Sequence, residues 1–306
     1  MGGPLSAPVP MLVSSRQFSA VTLPPMAETQ GAHRRSRSMV LAICFALGGA
    51  SAVSAPPCAA DPDGQLTVAT SGGTAAALRA LAAVYARGGG ERVRLVFGPS
   101  MGETPQTIPA RIARGERIDV VVMVGSAVDR LADDGQLTGP IRPVACSHIA
   151  MAVRAGAPRP DISTLDSLRR ALLEARSVAY SDSASGVFVA TQLFPRLGVS
   201  DTMRGKAFQV PAVPVGEVVA QGRAELGFQQ LSELLPVKGI DVVGLLPSGA
   251  QLGTTYSGAA VSSSAHKDEA ESFLSFLGGE QARGVMETSG LEQGGCPEPD
   301  QDQDTD

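Results

Sequence analysis

Three short segments of this sequence have the residues to hold an anion. Ser71-Gly72-Gly73-Thr74, Ser100-Met101-Gly102 and Ser181-Asp182-Ser183-Ala184-Ser185-Gly186 each follow a β-type run and precede a helical one. The first N–H groups of a helix lack intrahelical acceptors and carry partial positive charge. Serine and threonine add hydroxyl donors, and glycine lets an anion approach the backbone. Ser71, Gly73, Thr74, Ser100, Met101, Ser183 and Ser185 therefore form a candidate set that needs no charged side chain. One loop taken alone reads equally well as a helix cap. The recurrence of the pattern in both halves of the chain favours a shared crevice.

A second chemistry, proton abstraction, needs a base near the substrate carbon. The acids and histidine on or near these loops are Asp182, Glu103, Glu217 and His148. Three of them also have an ordinary structural use: Asp182 as a helix cap, Glu217 as a surface helix residue, His148 as a satisfied strand residue. The chain has no Gly-x-x-x-x-Gly-Lys-Ser/Thr for a nucleotide phosphate and no Gly-x-Ser-x-Gly for a serine nucleophile.

The elements that position these loops alternate along the chain. Strands are expected at Leu66–Ala69, Arg92–Phe97, Ile118–Val124, Ile149–Val153, Val178–Tyr180, Glu225–Phe228, Val242–Leu246 and Ser257–Ser262. Helices are expected at Ala75–Arg87, Ile108–Arg114, Ser126–Asp134, Leu165–Ala175, Val187–Leu197, Gly216–Gln221, Lys267–Leu277 and Glu280–Thr288. Such alternation means an α/β fold with mostly parallel sheets, and ligands sit at the carboxyl ends of such strands. The stretch around residues 140–150 has no Pro/Gly linker, so strands are expected to carry the chain between its two blocks.

The 306 residues suffice for about two domains of roughly 100–200 residues each. A hydrophobic share of 43% supports a packed core, which excludes wholesale disorder. The net charge of −5 argues against a nucleic-acid partner. The body of the chain has no long clean apolar run, so an integral membrane protein is not expected. Cys44, Cys58, Cys146 and Cys296 show no Cys-x-x-Cys spacing, and no zinc or disulfide framework, metal or cofactor is expected. Residues 1–60 read as a leader: His33–Ser38 is basic, Met39–Ala50 is apolar, and small residues follow. Cleavage is expected at about 55–60, with export of the remainder. Residues 292–306 carry six acids and no base, and read as a disordered, solvated tail.

Three stretches carry a resemblance. Leu66–Thr74 (Leu-Thr-Val-Ala-Thr-Ser-Gly-Gly-Thr), Ala110–Met123 and Ala224–Gln230 (Ala-Glu-Leu-Gly-Phe-Gln-Gln) resemble periplasmic molybdate-binding proteins of ABC importers. The likeness runs from about 65 to 291. It implies a type II periplasmic-binding fold, with two α/β lobes closing on ligand. Lobe 1 would be 64–145 plus 250–291, and lobe 2 would be 146–249. It implies an oxyanion held by hydroxyls and amides near Gly73, at Ser100, at Ser185 and within Val213–Gly216, so that Gly216 joins the candidates. The family's tyrosine position falls on Gln230. That departure, with the insertion at 98–105, points to a larger or less symmetric ligand.

Two functions follow from the resemblance. One is a monomeric periplasmic binding protein that delivers a small anion, molybdate-like, to an ABC permease. The other is an enzyme on the same scaffold. Gly98–Gly102, Ser181–Gly186 and Gly227–Gln230 also resemble the branch of the family that includes aconitate isomerase, which moves a double bond in a tricarboxylate. The excess of donors over acids in the three loops favours the binder.

Overall fold

A computed structural model describes residues 64–297. The expected leader, its cleavage site and the tail beyond residue 297 lie outside the described residues. Among the described residues ten strands run in chain order: β1 Gln65–Thr70, β2 Arg92–Phe97, β3 Val120–Val124, β4 Leu137–Arg154, β5 Val178–Ser181, β6 Ala207–Val210, β7 Leu226–Gln230, β8 Ile240–Leu245, β9 Gly253–Val261 and β10 Glu292–Gln293. Their lateral order is β2-β1-β3-β9-β4-β7-β5-β6, with β8 and β10 also paired to β4.

Two sheets share the 18-residue strand β4. Its first part pairs antiparallel with β9, Ala145 facing Tyr256 and His148 facing Gly253. Its last part pairs antiparallel with β7, Ile149 facing Gln230. The sequence reading found only Ile149–Val153 of this strand. The register with β9 shifts around Arg142 and Pro143, as a strand must where proline cannot donate to its ladder.

Helices cover both faces of each sheet. On one face of the first sheet, Leu78, Leu81 and Tyr85 of the helix Gly72–Arg87 pack with Phe273, Leu274 and Leu277 of the helix Lys267–Leu277. Spacings of three, four and seven in the first set, and of three and four from Leu274 and Phe273 to Leu277 in the second, put each set on one helical stripe. Tyr85 meets Phe273 edge-on at 5.1 Å between ring centres. On the opposite face, Ile108, Ile112, Val128 and Leu131 cover Val121 and Met123. The second sheet has its own core, where Leu168, Leu172, Leu193 and Phe194 pack around Ile149, Met151 and Phe228. Val215, Val218 and Val219 line its other face. These separate cores stand on either side of the crossing strands β4 and β9.

The helix expected at Val187–Leu197 is a composite. Ala184–Phe188 is α-helical, Val189–Leu193 widens to a π-turn, and Phe194–Arg196 resumes the α form. Pro195 has no N–H for the carbonyl four residues back, and a wider turn accommodates it.

Two expectations need correction. Cys146 and Cys296 form a disulfide, although 150 residues separate them and no local spacing announces the pair. The first residues of the segment read as a disordered tail are held. Glu292 and Gln293 pair with Cys146 and Ala145 on β4, Gln293 donates to the Leu277 and Gly279 carbonyls, and Cys296 N–H donates to Thr255 Oγ1. Composition alone misjudged them, because one buried covalent bond and a borrowed strand edge order a polar segment.

Candidate functional site

The parallel registers decide where the loops meet. β1 runs parallel to β2 and β3, with Thr70 facing Phe97 and Val122. The loops that start at Ser71 and Gly98 and the helix that starts at Gly125 therefore leave one edge of the first sheet. β5 runs parallel to β6 and β7, with Tyr180 facing Gln209 and Phe228. The segments after Ser181, Val210 and Gln230 leave the matching edge of the second sheet. The antiparallel strand β9 adds Tyr256, which faces Val124 at the carboxyl end of β3.

At the centre lies an acid that the sequence reading missed. The short helix Leu231–Leu234 follows β7 directly and carries Glu233. Its carboxyl reaches across to the start of the helix Gly72–Arg87, where a β-carbon on Gly72 would collide with Glu233 Oε1. A β-carbon on Gly73 would collide with the Tyr256 hydroxyl. Both glycines have ordinary φ values, so close approach is the reason for glycine here. Burial raises the Glu233 carboxyl to about 7; the Gln229 hydrogen bond pulls it down and Asp182 pushes it further up. Tyr256 is buried, and burial, with the neighbouring Glu233 charge, raises its phenol and keeps it protonated. An acid poised near neutrality thus sits beside a permanent hydroxyl donor.

The hydroxyls divide into free and engaged. Ser71 is 6% exposed, and its Oγ has no partner although the residue occupies the N-cap position. It is a buried donor facing no protein acceptor, which an incoming anion can use. Thr74 Oγ1 lies 2.7 Å from Thr70 Oγ1. Ser100 Oγ accepts from Val124 N–H at 3.2 Å and so ties the 98–107 loop to the end of β3. Met101 packs against the apolar cluster containing Ile108 and Met123. Ser181, Ser183 and Ser185 form a triangle of hydroxyls with sides of 2.8, 3.1 and 3.2 Å.

The other expected residues fall in different settings. Asp182 Oδ2 accepts from Ala212 N–H at 3.1 Å. Ala212 has a φ of 59°, the left-handed region that favours glycine, and this bond helps to hold it there. Gly216 is packed by Val237 and Ile240. Gln230 braces the crossing strands: its nitrogen donates to Ser147 Oγ at 3.0 Å and the His148 carbonyl at 3.2 Å, and its oxygen accepts from Thr254 Oγ1 at 2.8 Å. Glu103 and Glu217 are exposed, and neither is among the charges acting on Glu233 or Tyr256. His148 turns toward the C-terminal segment, 3.3 Å from Glu292 and 3.6 Å from Cys146 Sγ. Cys146, His148 and Glu292 hold potential metal-ligand atoms within 4.8 Å of one another. The Cys146 sulfur is committed to its disulfide, however.

Arginines near the 98–107 loop serve its shape. Arg111 donates to the Phe97 carbonyl at 3.1 Å and Arg114 to the Pro105 carbonyl at 2.6 Å, and both pair with Glu116. Two surface hollows of about 300 and 280 Å³ lie elsewhere, one beside Pro160 and Arg170 and the other beside Tyr180 and Met203. Neither includes Glu233, Tyr256 or Ser71.

Among the described residues no helix is long and apolar enough to cross a membrane. Comparison with known proteins agrees with this architecture. An aconitate isomerase from Pseudomonas sp is 50% identical over 248 residues, covering 81% of this chain and 95% of that protein. The periplasmic molybdate-binding protein of Azotobacter vinelandii superposes with a TM-score of 0.60 at 23% identity, covering 74% of this chain and 98% of that one. A sulfate-binding protein from Mycobacterium tuberculosis H37Rv gives a TM-score of 0.58 at 18% identity, covering 75% of this chain and 86% of that one. At those identities the solved structures speak for the fold, that of two-lobed periplasmic binding proteins. The model of the bacterial extracellular solute-binding proteins matches residues 66–292, and the chain belongs to that family.

Proposed function

We propose that this protein is an exported isomerase of the aconitate type, with Glu233 as the base that moves the allylic proton. The observation that carries this reading is the Glu233 carboxyl, raised to about 7 beside Gly72 in the cleft loops. A site built only to hold a bare dianion has no use for a second negative charge at its centre. A proton-abstracting site needs such a group, and a carboxylate with raised affinity for protons is a stronger base than an ordinary one. The high identity to the Pseudomonas protein, over nearly its whole length, supports the same assignment.

Aconitate is a propene bearing three carboxylates. Glu233 takes a proton from the methylene carbon, and the C–H electron pair becomes the new C=C bond. The electrons of the old C=C bond are drawn toward the adjacent carboxylate as an extended enolate. Return of a proton to the former vinylic carbon completes the shift, with no net change in atoms or electrons. The double bond now lies on the other side of the central carbon, in either geometry. The Tyr256 hydroxyl, the first N–H groups of the helix Gly72–Arg87 and the free Ser71 hydroxyl stabilise the charge that develops on carboxylate oxygen. The Ser181, Ser183 and Ser185 hydroxyls offer a second carboxylate seat.

A second reading keeps the free Ser71 hydroxyl and the serine triangle but assigns no chemistry. The protein would then be a periplasmic binder of a molybdate-like oxyanion that serves an ABC permease. One experiment separates the two. The protein is incubated with cis- and trans-aconitate in heavy water, and isomerisation and deuterium uptake are followed. Turnover in the wild type that is lost in Glu233→Gln supports the isomerase. Absence of turnover, with saturable molybdate or sulfate binding, replaces it with the binder.

A further inference from the structure

The crossing strand β4 and the C-terminal segment bring four metal-ligating side chains onto one face of a sheet. Cys146 and His148 are two residues apart on β4, and alternate residues of a strand share a face. Glu292 of β10 pairs with Cys146 from one side, and Gly253 of β9 pairs with His148 from the other. The His148 Nε2 atom lies 3.3 Å from Glu292 Oε1 and 3.6 Å from Cys146 Sγ, and the ligand atoms of these three residues all lie within 4.8 Å of one another. Cys296 is bonded to Cys146. Gly253 leaves room for this cluster. Its φ is not left-handed, yet a β-carbon there would lie 2.8 Å from Cys296 Sγ and 3.4 Å from His148 Cε1. The cleft described above uses none of the four side chains.

We propose that this protein, once its disulfide is reduced, holds one zinc ion through Cys146, Cys296, His148 and Glu292. The proposal is independent of the isomerase reading. A dithiol supplies the reduction: two electrons and two protons pass to Cys146 and Cys296, and the dithiol closes to its own disulfide. Zinc binding then releases both thiol protons to solvent. Two thiolates, one carboxylate and a neutral imidazole fill all four positions of the ion, as in a structural zinc site rather than a catalytic one.

The spacing suits the ion. Bonds of about 2.0 Å to nitrogen and oxygen and about 2.3 Å to sulfur put tetrahedral N···O pairs at about 3.3 Å and N···S pairs at about 3.5 Å. Both His148 distances already match. Two thiolates on one zinc stand about 3.8 Å apart, further than bonded sulfurs, so Cys296 must step back. Gly294 and Gly295 precede it, and Gly294, with a φ of 95°, has open space where its β-carbon would be. The Glu292 side chain is 65% exposed, so its carboxylate is free to draw inward. Zinc thus clasps the C-terminal segment to β4 where the disulfide clasps it in the oxidised protein. Cysteines stay reduced in the cytosol and pair outside it, so one cluster serves the chain on both sides of its expected export.

The test uses the full chain carrying Cys44→Ser and Cys58→Ser, so that only Cys146 and Cys296 supply thiols. Protein reduced with a phosphine is titrated with cobalt(II) and then with zinc. We expect one cobalt per chain, with thiolate-to-cobalt charge transfer in the near ultraviolet and tetrahedral bands in the visible, both lost as zinc displaces it. His148→Ala and Glu292→Gln should each weaken zinc binding about tenfold or more. Zinc should raise the melting temperature of the reduced protein and leave that of the oxidised protein unchanged. Both variants keep the disulfide, so the melt of each oxidised variant checks its folding. A reduced protein without the cobalt–thiolate band overturns the proposal. So does a zinc affinity that is the same with and without His148→Ala and Glu292→Gln, because the two cysteines alone would then hold the ion. Equal stabilisation of oxidised and reduced protein by zinc overturns it as well, because binding would then need no thiolate.

Discussion

The carboxyl of Glu233 and the backbone of Gly72 are in contact, and they come from the loops of two different sheets. Gly72 opens the first helix of the first sheet, and Glu233 follows the central strand of the second. Whatever lies between the sheets is therefore framed by an acid on one side and a helix start on the other. The contact also gives the first prediction. Gly72 has no positive φ, so alanine suits its backbone and should leave the melting temperature unchanged or slightly raised. The added methyl must push the Glu233 carboxyl aside. A displacement of about 1 Å in a catalytic group costs on the order of a hundredfold, so Gly72→Ala should lose about that much kcat/KM. A fully active, well-folded variant would remove Glu233 from the mechanism.

Ser71 and Ser100 separate donors for ligand from donors for structure. Ser71 Oγ is buried without a partner, so Ser71→Ala removes an unsatisfied group and should not destabilise the protein. Its loss should weaken carboxylate or oxyanion affinity about ten- to a hundredfold, as expected for a hydrogen bond to a charged group worth roughly 1.5–3 kcal/mol. Ser100 Oγ already serves Val124 N–H. Ser100→Ala should therefore cost about 1–3 kcal/mol of stability by stranding that N–H. Calorimetry and thermal melts on the two variants check the contrast, and equal effects on stability would contradict it.

The sequence made these loops legible because each follows a short β-type run and opens with small polar residues. Ser71–Thr74 and Ser181–Gly186 were readable for that reason. Glu233 was not, because Leu231–Leu234 is a single helical turn and leaves no periodic signal. Glu233 does lie just beyond the carboxyl end of β7, where ligands gather in such sheets, but Gln230 closes the motif that the sequence shows there. Tyr256 is hidden because the polar residues Gly253–Thr255 give the start of β9 no strand signal. That strand was expected from Ser257, whereas it begins at Gly253 and runs antiparallel to β3. Only pairing, which is non-local, brings Tyr256 to the edge where parallel strands end. The Cys146–Cys296 bond was hidden by the same non-locality.

That bond gives a prediction about stability. Cys296 reaches β4 from a segment with little core of its own, and Cys146 immediately precedes the Ser147-His148 pair that Gln230 braces. Closing a loop of 150 residues restricts the unfolded chain strongly. Removal of such a bond typically costs roughly 2–5 kcal/mol. The double variant Cys146→Ser, Cys296→Ser should melt roughly 5–15 °C lower. Reduced wild-type protein should melt with it. A wild type indifferent to dithiothreitol would show that the β10 pairing alone holds the segment.

The titration of Glu233 links stability to activity in opposite directions. Its carboxyl titrates at about 7 in the folded protein, against an ordinary value of 4.5. The folded state therefore binds the proton more tightly than the unfolded state between those values. Stability must fall as pH rises through this window, being fully present below 4.5 and lost above about 7. The full gap is worth at most about 3 kcal/mol, and less where solvent reaches the partly exposed side chain. On the proposed isomerase reading, activity runs the other way, because only the deprotonated carboxylate abstracts a proton. kcat/KM should rise from pH 5 to a plateau above about 7, while Tyr256 stays protonated throughout. Glu233→Gln tests both at once. The amide cannot titrate, so the variant should be more stable than wild type at pH 8, equal to it near pH 4.5, and inactive at every pH. Denaturant melts at pH 5, 6, 7 and 8, paired with heavy-water exchange assays, measure the two curves. A variant that loses activity without flattening the stability profile would mean that Glu233 is ionised at ordinary carboxylate pH, whereas a variant that keeps its activity would mean that the general base is another residue.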